Sequence, residues 1–158
     1  MTTDRVEHTS FVIERELPGS PKHAFRFWSD PTLKARWSGC HADWTVFEEA
    51  FDFQAGGKET KRWRTPEGQE LTFHAFYLDV VQDERIIYAY EMSFGGARVS
   101  ASLVTIVLTP HGGSTHMKFT EQAAFLAGDG TSEQRIEGTA EGFDRLVEVV
   151  SAEARSAA

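Results

Sequence analysis

The sequence predicts an α+β domain: seven antiparallel strands, two short helices after the first strand, and one long C-terminal helix lying across the sheet. Three observations carry that prediction. Residues 44–122 hold six segments rich in β-branched and aromatic residues, each separated from the next by a short turn signal. Two helix-start signals, Ser20-Pro21 and Asp30-Pro31, follow directly on a first strand-like run. Finally, Ile136, Ala140, Phe143, Val147 and Val150, with Leu146 beside them, recur at helical spacing.

The elements follow in order. Residues 11–17 (Phe-Val-Ile-Glu-Arg-Glu-Leu) form the first strand, ended by the turn dipeptide Pro18-Gly19. Ala24, Phe25 and Trp28 make the apolar face of the first short helix, and Leu33 and Trp37 that of the second. Strands are predicted over 44–53, 58–64, 71–81, 86–94, 99–108 and 115–122. Their separators include Gly56-Gly57, Pro66-Glu67-Gly68, Asp83-Glu84, Gly95-Gly96 and Pro110-His111-Gly112-Gly113. Links this short join antiparallel neighbours, because a parallel pair needs a crossover of a dozen or more residues. Thr131-Ser132-Glu133-Gln134 fits a capping box and starts a helix of about 24 residues, roughly 36 Å long. No repeat or Pro/Ser-rich linker interrupts residues 8–155, which are read as one domain.

Composition bounds the function. At 158 residues the chain can bury roughly 70% of its unfolded surface without staples. A formal charge of −8 argues against nucleic acid or a polybasic membrane patch as partner. The single cysteine, Cys40, excludes an intrachain disulfide and a multi-thiolate metal site, and a structural or incidental role is expected for it. No apolar run approaches the length of a membrane helix, and the first twenty residues lack a secretory core, so the expected setting is the cytoplasm. The aromatic load stands out: 12 Phe, 4 Trp and 3 Tyr.

Alternation along the strands assigns those rings to faces. The inward sets are expected to be Thr72, His74, Phe76, Leu78 and Val80; Tyr88, Tyr90, Met92 and Phe94; Ser100, Ser102, Val104, Ile106 and Leu108; and Met117, Phe119 and Glu121. One end of the strands is then plain core. The other gathers His74, Phe76, Tyr90, Met92, Ser100, Ser102, Phe119 and Glu121. A sealed core rarely carries a histidine, two serines and a carboxylate, since each needs a partner or a large desolvation cost. Rings with a few convergent polar groups are the lining of a small-ligand cavity. In the bland alternative, the polar groups satisfy one another across the strands or sit in water at an open sheet end. Gly138 and Gly142, four apart in the long helix, each cost about 1 kcal/mol relative to alanine; either side chains there would obstruct the strands or a ligand, or both are tolerated surface glycines.

The segments Arg15-Glu-Leu-Pro-Gly-Ser-Pro21, Asp30-Pro-Thr-Leu-Lys-Ala-Arg-Trp37, Asp52-Phe-Gln-Ala-Gly-Gly57 and Asp83-Glu-Arg-Ile-Ile-Tyr88 lie in sequence. Together they resemble the START-like, helix-grip superfamily (SRPBCC), in its branch related to the activator of the ninety-kilodalton heat-shock chaperone's ATPase. Thr120-Glu-Gln122, Ala124-Phe-Leu126 and Glu137-Gly-Thr139 are similar to a bacterial subgroup of that branch, and Gly142-Phe143 departs from relatives with bulky apolar residues there. The resemblance implies a curved sheet gripping the C-terminal helix around a cavity. It also implies a hydrophobic small molecule as the ligand, with cyclisation or hydrolysis in a few relatives.

The remaining chemistry is sparse. No phosphate loop, dinucleotide fingerprint or nucleophile elbow occurs, and the six histidines show no metal-ligand spacing; no cofactor or metal is expected. His111 and His116 flank a hairpin and are expected to face water; Trp37 and Trp44 read first as core anchors, then as cavity-mouth residues. Whether the chain is an enzyme stays open. As a binding module it would hold an apolar molecule among Phe76, Tyr88, Tyr90, Met92, Ser100, Ser102, Met117, Phe119 and Phe143. As an enzyme it would use Glu121 as general acid or base, with His74, Tyr88 or Tyr90 as proton donor and Arg98 or Arg64 for an anionic group. A chaperone partner stands behind both, for want of a docking segment. The strand 58–64 is read as an edge, either covered by a second copy in a homodimer or protected by Lys58, Lys61, Arg62 and Arg64.

Overall fold

In the computed structural model, residues 6–39, 41–126 and 131–156 are described; Cys40 lies outside them. The first strand, β1 (Glu7–Pro18), leads into α1 (Pro21–Ser29) and α2 (Pro31–Ala35). Six strands follow: β2 (Thr45–Phe51), β3 (Lys58–Arg64), β4 (Glu70–Val81), β5 (Arg85–Phe94), β6 (Ala97–His111) and β7 (Ser114–Phe125). The long helix α3 (Thr131–Ser156) ends the chain, beginning where the capping pattern puts its start.

The sheet order is β1-β7-β6-β5-β4-β3-β2, antiparallel throughout, and the curved sheet holds α3 against its inner face. The two short helices carry the chain from one sheet edge to the other, after which the meander returns to pair β7 with β1. Local chemistry sets that passage. Ser20 Oγ accepts from the His23 amide with Pro21 at the first helical position. Asp30 both ends α1, donating its amide to the Arg26 carbonyl, and caps α2, accepting from the Thr32 and Leu33 amides.

One register irregularity matters for the site. A bulge in β4 between Tyr77 and Asp79 leaves Leu78 as the extra residue, and beside it the turn before β3 docks on Tyr77, the Gly56 amide donating to the Tyr77 carbonyl and the Tyr77 amide to the Gly57 carbonyl. A side chain at Gly57 would begin 2.0 Å from the Asp52 carbonyl oxygen, so only glycine fits there. The bulge also corrects the expected parity of β4. Leu71, Ala75 and Tyr77 are buried, while Phe76 is 43% and Leu78 58% exposed on the outer face; only Val80, past the bulge, packs inward as expected. The second correction concerns the edge: β3 lies between β2 and β4, so the sheet's edges are β1 and β2 and not 58–64. Its charges pair laterally instead, Lys61 with Glu49, Arg62 with Glu48 and Glu70, and Arg64 with Glu70.

The helix α3 is fastened to the β1 side. Arg15 forms an ion pair with Asp144 at 3.1 Å and Ser132 Oγ donates to Glu7. Phe143, Leu146 and Val150 are buried in the core with Trp28, Trp37, Phe27 and the inner residues of β6 and β7. A helix held toward one end of a curved sheet leaves space over the other.

Candidate functional site

Period two points Met117, Phe119 and Glu121 of β7 and Ser100 and Ser102 of β6 to the inner face, all of them buried. On β5 it does the same for Tyr88, Tyr90 and Met92, with Tyr90 opposite Ser102. Glu121, only 1% exposed, is therefore placed by the sheet among rings, where an unpartnered carboxylate would be very costly. Its Oε2 accepts from Tyr90 Oη at 2.7 Å, Ser102 Oγ at 2.7 Å and Arg135 Nη1 at 3.2 Å. Arg135, reaching in from α3, also donates to Tyr90 Oη at 2.8 Å and to Ser100 Oγ at 2.7 Å. Its guanidinium lies over the rings of Tyr90 and Phe125, 5.5 and 5.2 Å from their centroids.

A second polar cluster faces the same space from the other side. Lys34 of α2 donates to Glu59 Oε1 of β3 at 2.6 Å, and Tyr77 of β4 donates to the same oxygen at 2.7 Å. Lys34 also stands 4.7 Å over the Phe51 ring. Burial holds the Lys34 ammonium below its ordinary pKa against the opposing pull of Glu59, and the like charge of Lys61 adds to the depression. All three phenols of the chain are pushed above their ordinary value: Tyr77 by burial and then Glu59, Tyr88 by burial and then its neighbours Tyr90 and Glu121, and Tyr90 by burial and then Glu121.

Between the clusters lies a cavity of about 360 Å³, within the range of roughly 300–1,000 Å³ that small-molecule sites occupy. Trp28, Trp37, Trp63, Phe73, Met92, Phe119 and Phe143 give it an apolar wall, Glu121 and Arg135 one polar end, and Lys34 and Glu59 another. The exposed residues Gly39, Gln134, Gly138 and Arg145 form its rim. A Cβ at Gly138 would meet nothing within 4 Å, and one at Gly142 only the Arg145 guanidinium at 3.7 Å. The helix glycines therefore border open cavity, not a close strand.

Of the residues expected at the site, Tyr88, Tyr90, Met92, Phe119, Glu121 and Phe143 line this cavity, and Ser100 and Ser102 support its polar end. Met117 points inward but is sealed in the core. His74 and Phe76 are corrected: both sit on the outer face of β4, His74 opposite Thr60 and Glu91, Phe76 under the Lys58 ammonium. The parity switch at Leu78 puts them there, and His74 cannot act with Glu121. Arg98 and Arg64 are likewise spent elsewhere, on Glu91 and Glu70. Trp37 serves both expected roles, core and cavity wall, with Nε1 donating to the Phe27 carbonyl at 2.9 Å. Trp44 rests instead against His41 and Phe94. His116 pairs with Glu14 and His111 with Glu16 at the surface.

Arg135, Arg145, Lys34 and Glu59 were not anticipated. For the arginines a signal exists: Arg135, Gly138, Thr139, Gly142 and Arg145 form their own helical stripe beside the apolar one. Two interior glycines on that stripe mark the side of α3 that nothing fills.

Fold and site together define a helix-grip domain of the START-like kind with an internal, ring-walled cavity. Residues 18–151 match the AHSA1 family, described as activator of Hsp90 ATPase homolog 1-like protein, and the chain belongs to that family. Among solved structures it is similar to a Rhizobium leguminosarum protein, 39% identical over 96% of this chain and 99% of that one, with a TM-score of 0.88. It is also similar to a Rhizobium loti protein, 36% identical over 92% and 99% of the two chains, TM-score 0.85. A Staphylococcus aureus protein of unknown function, 18% identical over 95% and 98%, TM-score 0.73, shares the fold. No curated protein sequence matches the chain.

Proposed function

We propose that the protein binds a small, mostly hydrophobic molecule in the cavity between α3 and the sheet, in the cytoplasm. The observation that carries this reading is the 360 Å³ ring-lined space with the buried Glu121–Arg135–Tyr90 network at one end. Rings supply non-directional burial worth about 25 cal/mol per Å² of apolar area, and the few polar groups supply orientation. Binding is favoured over turnover by what surrounds Glu121. Three donors already converge on Oε2, and none of them, among the described residues, is a histidine that could share a proton. A carboxylate so occupied holds its neighbours in place better than it accepts a substrate proton.

Native mass spectrometry of protein purified from cells, with titration of uncharged apolar probes followed by tryptophan fluorescence, tests the reading. Trp28, Trp37 and Trp63 line the cavity and report its filling. A retained or titratable ligand that is lost when Met92→Trp fills the space is the expected result. No adduct and no saturable probe in a broad hydrophobic panel overturns it. The chaperone-activating reading attached to the family's name predicts a complex with that ATPase, which a pull-down and rate assay decide.

A further inference from the structure

The cavity's charge does not match the chain's. Four cationic side chains line it, Lys34, Lys61, Arg135 and Arg145, against two carboxylates, Glu59 and Glu121. A chain of formal charge −8 thus turns an excess of two positive charges toward this space. Pairing locates the excess. Arg135 is matched by Glu121 and Lys34 by Glu59, both inside the cavity.

Lys61 and Arg145 are left. Lys61, with its side chain 13% exposed, meets Glu49 at 3.5 Å, but Glu49 is 59% exposed and lies outside the lining, where water screens it. The Lys61 ammonium also stands 5.4 Å over the Trp63 ring. Arg145 forms no ion pair among the described residues. Its Nε donates to the Trp37 carbonyl at 3.2 Å and its Nη2 to the Gly39 carbonyl at 3.4 Å, so the guanidinium is aimed and held with its charge unanswered. Both cations border the α2 side: Arg145 is tied to the residues just after α2, and Lys61 is close enough to press on the Lys34 ammonium.

Two cations in the lining of an apolar chamber, Lys61 within and Arg145 at the rim, are a receptor for one negative charge. We propose that the cavity's ligand is an amphiphilic carboxylate, its apolar body among Trp63, Phe73, Met92 and Phe119 and its carboxylate between Lys61 and Arg145. This rests on the cavity-binding reading above and narrows it. Field focusing into such a cleft speeds entry of an anion despite the repulsive net charge, and that advantage fades with added salt.

Isothermal titration with matched pairs decides the matter: 1-naphthaleneacetate against 1-naphthaleneacetamide, and decanoate against decanamide. The expected result is a preference of about tenfold or more for the carboxylate in at least one pair, as one charge-assisted contact provides. That preference falls at high salt and disappears in Lys61→Gln and Arg145→Gln, while amide affinity holds. Arg145→Lys, which retains the charge, restores part of it and guards against a folding defect. Equal affinity for both members overturns the anionic ligand but leaves the cavity reading intact. A carboxylate preference untouched by both variants overturns the assignment to Lys61 and Arg145. Binding of neither member of either pair overturns this inference, with the apolar panel then deciding the broader reading separately.

Discussion

Glu121 is the residue on which the polar end of the cavity turns. Its carboxylate and the Arg135 guanidinium, with side chains 1% and 12% exposed, were both taken out of water, and their mutual attraction only repays that cost while the geometry is complete. Removing one partner is therefore worse than removing both. Glu121→Ala should lower stability by about 3–5 kcal/mol, because it strands a buried cation and frees the hydroxyls of Tyr90 and Ser102. The double variant Glu121→Leu, Arg135→Met should return to within about 2 kcal/mol of the parent, since apolar replacement of a buried pair is often neutral. Urea unfolding with unchanged m-values measures both differences. A loss below about 1 kcal/mol in the single variant would mean that water reaches the pair. Asp30 and Gly57 are the backbone counterparts of Glu121, one ending α1 with its amide and starting α2 with its carboxylate, the other allowing the Asp52 carbonyl to approach.

At the level of the element, α3 carries two stripes with different duties. Ile136, Ala140, Phe143, Leu146 and Val150 hold it on the core, while Arg135, Gly138, Thr139, Gly142 and Arg145 face the cavity. Glycine inside a helix costs about 1 kcal/mol, yet at Gly138 a methyl group would meet only open space. Packing against the protein itself does not require glycine there, so Gly138→Ala should stabilise by about 0.5–1 kcal/mol, a rise of about 1–4 °C in Tm. Gly138→Leu should keep that gain and weaken apolar-probe binding by filling the rim. Unchanged binding in the leucine variant would remove Gly138 from the ligand's path. The same element-level view explains what the sequence disclosed. Helix starts at Ser20 and Asp30, the turn glycines, and alternation on β5, β6 and β7 rest on local chemistry, and all are found as expected. The β4 faces were not legible, because a bulge at Leu78 has no local signature when rings and aliphatics occupy both parities: Leu71, Phe73 and Tyr77 on one, Phe76 and Leu78 on the other. Val80, beyond the bulge, was read correctly, and the same parity carried back past Leu78 misplaced His74 and Phe76. Arg135 was hidden for another reason: an arginine one turn into a helix reads as solvent-facing until the open cavity beside it is known.

The whole molecule adds a property that no single site shows. Of its three tyrosines, Tyr77 and Tyr90 belong to the two polar clusters flanking the cavity and Tyr88 lies against both their rings, and each is held protonated well past its ordinary pKa of about 10. Burial is the leading cause in every case, reinforced by Glu59 at one end of the cavity and Glu121 at the other. In the unfolded chain the phenols ionise near pH 10; in the fold they do not. The stability contributed by these groups is thus fully present below pH 10 and lost as pH rises beyond it, by up to about 1.4 kcal/mol per pH unit for each proton the fold retains. Lys34, whose pKa is lowered, acts oppositely: the cost of burying its charge is relieved as pH approaches the ordinary lysine value. Three protons outweigh one, and the net course is downward. Absorbance at 295 nm should therefore show no tyrosinate near pH 10 while the far-ultraviolet circular dichroism is native, and then a single rise coincident with unfolding. A tyrosinate signal titrating smoothly at about pH 10 in folded protein would place at least one phenol in open solvent and dismantle the cluster it belongs to. Unfolding each variant by base sorts the contributions, because Tyr77→Phe should shift the transition through the Lys34–Glu59 end while leaving apolar-probe binding at the Glu121–Arg135 end in place.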